Sequence, residues 1–144
     1  MFDFEAACAD VIDVSLGLHR QLGAGLLETV YEALLAAKLQ QTGYKVERQR
    51  PIAIEFEGVR IEGAFRADLV LGGELIIEVK SVEQLNGVHA KQLLTYLRLT
   101  KQPLGLLINF GGETLKGQVR RIANNYTPLA PSRLRVNQLS GAQS

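Results

Sequence analysis

The sequence of 144 residues has no tryptophan, a single cysteine and no apolar stretch long enough to cross a bilayer. Because Cys8 is alone, an internal disulfide and a zinc site built from several cysteines are excluded. The acidic amino-terminal segment lacks the pattern of a secretory signal, so we expect a soluble cytoplasmic protein with no membrane partner. Without an aromatic-rich strand, a stacking platform for single-stranded nucleic acid is not indicated.

The net charge of +1 gives no overall footprint for a polyanion, but the charges are unevenly distributed. Residues 1–84 hold eight basic and fourteen acidic side chains, whereas residues 85–144 hold eight basic side chains and one acidic side chain. The basic residues of the second part either contact phosphate groups or are scattered over solvated surfaces. They are Lys91, Arg98, Lys101, Lys116, Arg120, Arg121, Arg133 and Arg135.

Hydrophobic periodicity predicts two helices followed by a sheet. The second helix, 26–42, is expected to face inward with Leu27, Val30, Leu34 and Leu35. One domain is expected over 1–126, followed by a loosely ordered tail over 127–144. The other predicted elements are a helix over 4–22, strands over 45–56, 59–71 and 74–82 with a bulge at Gly63, a helix over 88–101 capped by Asn86, a buried strand over 104–110 and an edge strand over 114–123.

Three charged residues interrupt two strongly apolar strands, ADLVLG and ELIIEVKSV. Because successive strand residues point to opposite faces, Glu78 and Lys80 share one face. The Gly72-Gly73 turn decides whether Asp68 joins them. A two-residue turn would put Asp68 on the other face, whereas a three-residue turn pairs Asp68 with Glu78 and leaves one face apolar. We favour the three-residue turn.

In that register the two carboxylates lie about 5 Å apart. Their repulsion is about 3 kcal/mol at an effective dielectric near 20, and in a marginally stable domain another effect must compensate it. The repulsion is compensated by a raised carboxyl pKa, by neutralisation through Lys80 or by a bound divalent cation. The alternative without chemistry is a solvated sheet face that carries a Glu78–Lys80 ion pair.

Two helical segments carry further candidate residues. The segment GLLETVY places Gly25, Glu28 and Tyr31 at the start of the second helix. In the third helix, Gln92 and Tyr96 stand four residues apart and therefore share one face.

The string Gly25, Glu28, Tyr31 resembles the motif that names the GxxExxY proteins, a group of the PD-(D/E)XK nuclease superfamily. The resemblance extends over about residues 8–125 and implies a restriction-endonuclease-like α/β sandwich of three layers, with a mixed central sheet flanked by helices. Ala67 stands where many such nucleases have proline. The positions that match are Asp68 as the first strand acid, Glu78 and Lys80 as the acid-x-lysine element, Glu28 as the helical acid, and Gln92 with Tyr96 as the QxxxY helix.

The resemblance implies a metal-dependent nuclease that hydrolyses phosphodiester bonds of DNA or RNA. Mg²⁺ or Mn²⁺ would bind Asp68, Glu78, the carbonyl of Val79, and Glu28 directly or through water. Lys80 would act on the phosphate, and Gln92 with Tyr96 would position the substrate.

Two other functions remain open at this point. One is a non-catalytic nucleic-acid-binding or assembly module on the same scaffold, with homodimer formation through a sheet edge. The other is a hydrolase of a different phosphoester or a small nucleotide.

Overall fold

The structure, a computed structural model, describes residues 1–128, in which two helices are followed by three strands, a third helix and two more strands. The helices are α1 (Phe4–Leu22), α2 (Glu28–Gln41) and α3 (Gly87–Thr100). The strands are β1 (Val46–Phe56), β2 (Val59–Leu71), β3 (Leu75–Lys80), β4 (Leu104–Asn109) and β5 (Val119–Ala123).

The strands of this region form one mixed sheet with the order β1-β2-β3-β4-β5. Only β3 and β4 run parallel, and α3 connects them, whereas every other neighbouring pair is antiparallel. Helices cover both faces, which confirms the predicted α/β sandwich of three layers.

Alternate residues of β2 and β3 enter two separate cores. Leu69 and Ile77 pack with α1 and α2, whereas Val70 and Ile76 pack with α3. All six residues of β4 are buried because the strand is covered on both faces, as its continuous apolar run predicts.

Short polar side chains cap the N-termini of two of the helices. The carboxylate of Asp3 accepts a hydrogen bond from the Ala6 N–H at 3.0 Å at the start of α1. The Asn86 side chain accepts one from the Val88 N–H at 3.0 Å, which confirms the predicted cap of α3.

The predicted inward face of the second helix is confirmed at Leu34 and Leu35 but wrong at Leu27 and Val30. The chain is extended at Leu27, which is 73% exposed, and the helix begins only at Glu28. Val30 is also exposed, whereas Tyr31 and Leu35 are fully buried. The inward face is instead set by Tyr31, which stacks on Phe110, and by Leu35 and Leu39, which pack in the same core.

The β1–β2 hairpin is long and bends over α3. Its register shifts between Ile52 and Ile54, opposite the segment that contains Gly63, so the predicted bulge is confirmed. The ring of Phe65 in β2 stacks on Tyr96 of α3 with centroids 3.7 Å apart. This contact brings the far half of the hairpin against the flank of α3.

Near the carboxyl-terminal end of the described region, the predicted edge strand is shorter than expected. It covers only Val119–Ala123, because Gly117 has a positive φ in the turn that precedes it. The predicted tail lies almost wholly outside the described residues, since its positions 129–144 are not among them. No helix within 1–128 has the length and apolar character needed to cross a membrane.

Candidate active site

Asp68 lies where β2 and β3 separate. The two strands pair Leu71 with Leu75 and Leu69 with Ile77, which confirms the register of the three-residue turn. The ladder between them ends there, and the backbone N–H of Val79 donates instead to Oδ2 of Asp68 at 2.8 Å. The Asp68 carboxylate therefore takes the place of a ladder acceptor and is held next to β3.

Glu78 is adjacent to Asp68. It lies on the same face of β3 as Ile76, which packs against α3. Its Oε1 is buried, and no hydrogen-bond donor reaches it within residues 1–128. Burial, then the charge of Asp68 and a hydrogen bond to that carboxyl, raise the pKa of Glu78 to about 9. Two ionised carboxylates only accept hydrogen bonds, so Glu78 and Asp68 can share a hydrogen bond only when Glu78 keeps its proton.

These features fit a hard divalent cation, because a cation would replace the retained proton between two acceptor groups. The strand geometry adds a third oxygen at the same edge. Since the N–H of Val79 points toward Asp68, its carbonyl group points to the same side of β3. Within 1–128, however, no three His, Cys, Asp or Glu side chains converge closely enough to hold a metal ion. Any further ligands would have to be water or substrate oxygens.

Lys80 shares the face of Glu78 and ends β3. Its positive charge lowers the pKa of Glu78, although less than Asp68 raises it. Among the ion pairs of residues 1–128 there is none between Lys80 and Glu78, so the simple ion-pair alternative is not present. The Lys80 carbonyl accepts the Phe110 N–H at 2.8 Å, which ties this end of β3 to the chain after β4.

The segment with Gly25, Glu28 and Tyr31 is attached to the same end of β3. Gly25 has a φ of 113°, a conformation that favours glycine. The Tyr31 hydroxyl donates to the Gly23 carbonyl and accepts the Leu26 N–H at 3.3 Å. The two outer residues of the segment therefore shape the loop.

A second contact connects this loop to the strand end. The Ser81 hydroxyl, next to Lys80 in the chain, donates to the Leu26 carbonyl at 2.9 Å. Glu28 follows as the first residue of α2 and is half-buried. Within the described region it forms no hydrogen bond or ion pair, either with Asp68 and Glu78 or with other residues.

Gln92 and Tyr96 form a pair on the flank of α3. The Gln92 amide donates to the Tyr96 hydroxyl at 2.9 Å, and Tyr96 stacks on Phe65, three residues before Asp68 in β2. The pair therefore lies on the side of α3 that faces β2. Neither residue is in hydrogen-bonding contact with the two acids.

A family model described as the PD-(D/E)XK nuclease superfamily matches residues 5–122. The chain belongs to the PD-(D/E)XK nuclease superfamily. A search of curated proteins gave no match. The narrower assignment to the GxxExxY proteins stays a prediction.

Membership of the PD-(D/E)XK superfamily implies a nuclease-like domain that binds nucleic acid and generally uses divalent metal ions. It does not identify the metal, the substrate or the residues that act. Those points rest on the arrangement of Asp68, Glu78 and Lys80 described above.

The sequence did not reveal one group of residues next to Asp68. Glu32 of α2 is only 2% exposed, and burial followed by the charge of Asp68 raises its pKa. It accepts hydrogen bonds from Arg48 at 3.1 Å and from Gln49 at 2.7 Å. The only sequence signal was its place four residues after Glu28, on the same side of the helix.

One residue of the basic set is not available to phosphate. Arg121 forms a buried ion pair with Glu5 across β5 and α1, at 2.9 Å. Lys91, Arg98 and Lys101 are exposed on or just after α3, as a phosphate contact requires. Arg133 and Arg135 lie outside the described residues.

Proposed function

We propose that this protein is a metal-dependent nuclease that hydrolyses phosphodiester bonds at Asp68, Glu78 and Lys80. The observation that supports the proposal most is the meeting of two carboxyl groups with one buried oxygen that lacks a donor. Two adjacent carboxyl groups, one of them buried, lower the stability of a fold unless a counter-charge compensates them. Together with membership of a nuclease superfamily, the pair favours a cation-dependent site.

Mg²⁺ or Mn²⁺ is the proposed cofactor because carboxylate and carbonyl oxygens are the donors that these ions prefer. Asp68 and Glu78 would hold the ion with the Val79 carbonyl, and Glu28 would contribute directly or through a water. When bound, such an ion supplies Lewis acidity for phosphate and a counter-charge for the leaving oxygen.

The other residues have roles that follow from their chemistry. The Lys80 ammonium group would stabilise the extra negative charge of the phosphate in the transition state and hold the attacking water by a hydrogen bond. Gln92 and Tyr96 would orient the phosphate or a flanking nucleotide through their amide and hydroxyl groups. The exposed cations of α3 would attract the backbone on either side.

The test is cleavage of DNA, RNA and nucleotide panels by purified protein with Mg²⁺ or Mn²⁺. We expect Asp68→Ala and Lys80→Ala each to lower the rate about 100-fold or more, as loss of one transition-state contact does in other enzymes. Asp13→Ala and Lys38→Ala, which change exposed residues of the same types, are the matched controls. Cleavage that survives the first two substitutions would rule out this site.

Other outcomes would identify the alternatives. Nucleic-acid binding in chelator without metal-dependent cleavage would mark a binding module on a nuclease scaffold. Turnover restricted to nucleotides or other small phosphoesters would mark a different hydrolase.

A further inference from the structure

Gln49 has a backbone conformation that is unusual for a strand residue. Its φ of 50° lies in the left-handed region, which costs a residue other than glycine about 1 kcal/mol or more. The flanking residues pair normally, Arg48 with Leu69 and Arg50 with Ala67. The pair between them, Gln49 and Asp68, is missing from the ladder. The irregularity of β1 therefore lies directly opposite the first acid of the site.

The Gln49 side chain bridges two carboxylates. Its Nε2 donates to Oε1 of Glu32 at 2.7 Å and, in a longer bond of 3.3 Å, to Oδ1 of Asp68. Ionised carboxylates only accept hydrogen bonds, so the amide must present its nitrogen to both. The left-handed conformation gives the side chain this reach, because regular alternation would direct residues 48 and 49 to opposite faces of the sheet.

Glu32, which accepts one end of that bridge, is itself held in a fixed position. It is buried in α2, and Arg48 contacts its second oxygen, Oε2, through both Nε and Nη2 at 3.1 Å. Both oxygens of Glu32 are therefore occupied. A side chain fixed in this way can hold the Gln49 amide in one orientation.

Asp68 is consequently held at each of its oxygens, Oδ1 by Gln49 and Oδ2 by the Val79 N–H. Both donors are neutral. A lysine or arginine at position 49 would orient the carboxylate equally well but would cancel its charge and compete with a cation. An amide fixes the carboxylate and leaves its charge available.

We propose that Gln49 is a positioning residue for the metal site, which orients the Asp68 carboxylate by linking it to Glu32 on α2. This role rests on the proposed function, since it assumes that Asp68 binds the cation. Gln49 itself would touch neither the cation nor the substrate. Hydrogen-bond partners of metal ligands commonly contribute about 10- to 100-fold to metal affinity.

The experiment is calorimetric titration of Mn²⁺ into the protein of 144 residues and its variants. Gln49→Met keeps the length of the side chain but removes the amide, and we expect it to weaken Mn²⁺ binding about 10- to 100-fold. Gln40→Met, on an exposed position of α2, is the matched control and should bind like wild type.

Gln49→Gly distinguishes the effect of the side-chain amide from the effect of the backbone conformation at position 49. Glycine adopts the positive φ without strain, so a purely structural role for position 49 predicts wild-type affinity. The bridge predicts the same loss of Mn²⁺ affinity as in Gln49→Met. Wild-type affinity in both variants would overturn the inference.

Asp68→Ala shows which proposal has failed. If wild type and Asp68→Ala bind Mn²⁺ equally, the proposed metal site is wrong. If only Asp68→Ala loses binding and Gln49→Met does not, the proposed function stands and the role of Gln49 is wrong.

A double-mutant cycle in metal-free protein tests the bridge itself. Gln49→Met and Asp68→Asn should shift the urea midpoint non-additively, because either change breaks the same contact. Additive shifts would contradict the bridge even if no metal binds.

Discussion

Replacing Glu78 with glutamine should stabilise the metal-free protein while it abolishes metal binding. Glutamine has nearly the same shape as the protonated acid, and its amide can donate to Asp68 as the retained proton does. The substitution therefore keeps the hydrogen bond and removes the group that must otherwise be ionised next to a second carboxylate. A site residue that lowers stability in this way is expected where a cation normally provides the counter-charge.

The size of the effect follows from the pKa of Glu78. The folded protein keeps this proton up to about pH 9, whereas the unfolded chain releases it near its ordinary pKa of 4.5. Between these values the folded state binds more protons, so its stability falls as pH rises, by up to about 1.4 kcal/mol per pH unit. At neutral pH the wild type is then less stable than Glu78→Gln by about 3 kcal/mol, with the difference vanishing near pH 4.5.

The assay is urea unfolding, followed by circular dichroism in chelator between about pH 5 and 8.5. The free energy of unfolding of Glu78→Gln minus that of wild type should grow with pH. Glu83→Gln, which changes an exposed acid just after β3, should show no such growth. Excess Mn²⁺ should remove the pH dependence of wild type and leave Glu78→Gln unchanged. A constant difference across this pH range would refute the reasoning.

Three further predictions concern side chains around the site. Asn109→Leu leaves the Val82 N–H and carbonyl without their 2.9 Å partners and should cost about 2–4 kcal/mol in urea unfolding, whereas an exposed Asn would cost little. Tyr31→Phe keeps its ring stacking but loses the hydroxyl that closes the loop before α2, so hydrogen exchange there should accelerate and stability should fall by about 1 kcal/mol; unchanged exchange would contradict this. Arg121→Met removes the buried ion pair with Glu5 and should lower stability by about 3 kcal/mol, but nucleic-acid affinity, measured by fluorescence anisotropy, should not change.

The register that brings Asp68 next to Glu78 was predictable from the sequence because it depends on local rules. The glycine turn allowed two registers, and only one separated apolar from charged residues on β2 and β3. Strand alternation then placed Lys80 beside Glu78 without any knowledge of the rest of the fold. The structure confirms that register.

The contribution of α2 was not predictable in the same way. Helical periodicity alone gave an inward face with Leu27 and Val30, because an apolar pattern does not show that Tyr31 packs against Phe110 instead. The same pattern gives no reason to expect that Glu32 is buried. Gln49 was equally hidden, since its role depends on a positive φ that the alternation of β1 gives no reason to expect.

The parallel pairing of β3 and β4 has a consequence for how substrate choice could change. Both strands end at the edge of the sheet where the acids meet, so the loops that follow them border the same space. Insertions in these loops could reshape the surroundings of the proposed site without disturbing any strand register. The amide of Asn109 limits this freedom, because it clamps the backbone at Val82 and Gly111 together. New segments are therefore tolerated only beyond that clamp, which leaves the acids in place while the surroundings diversify.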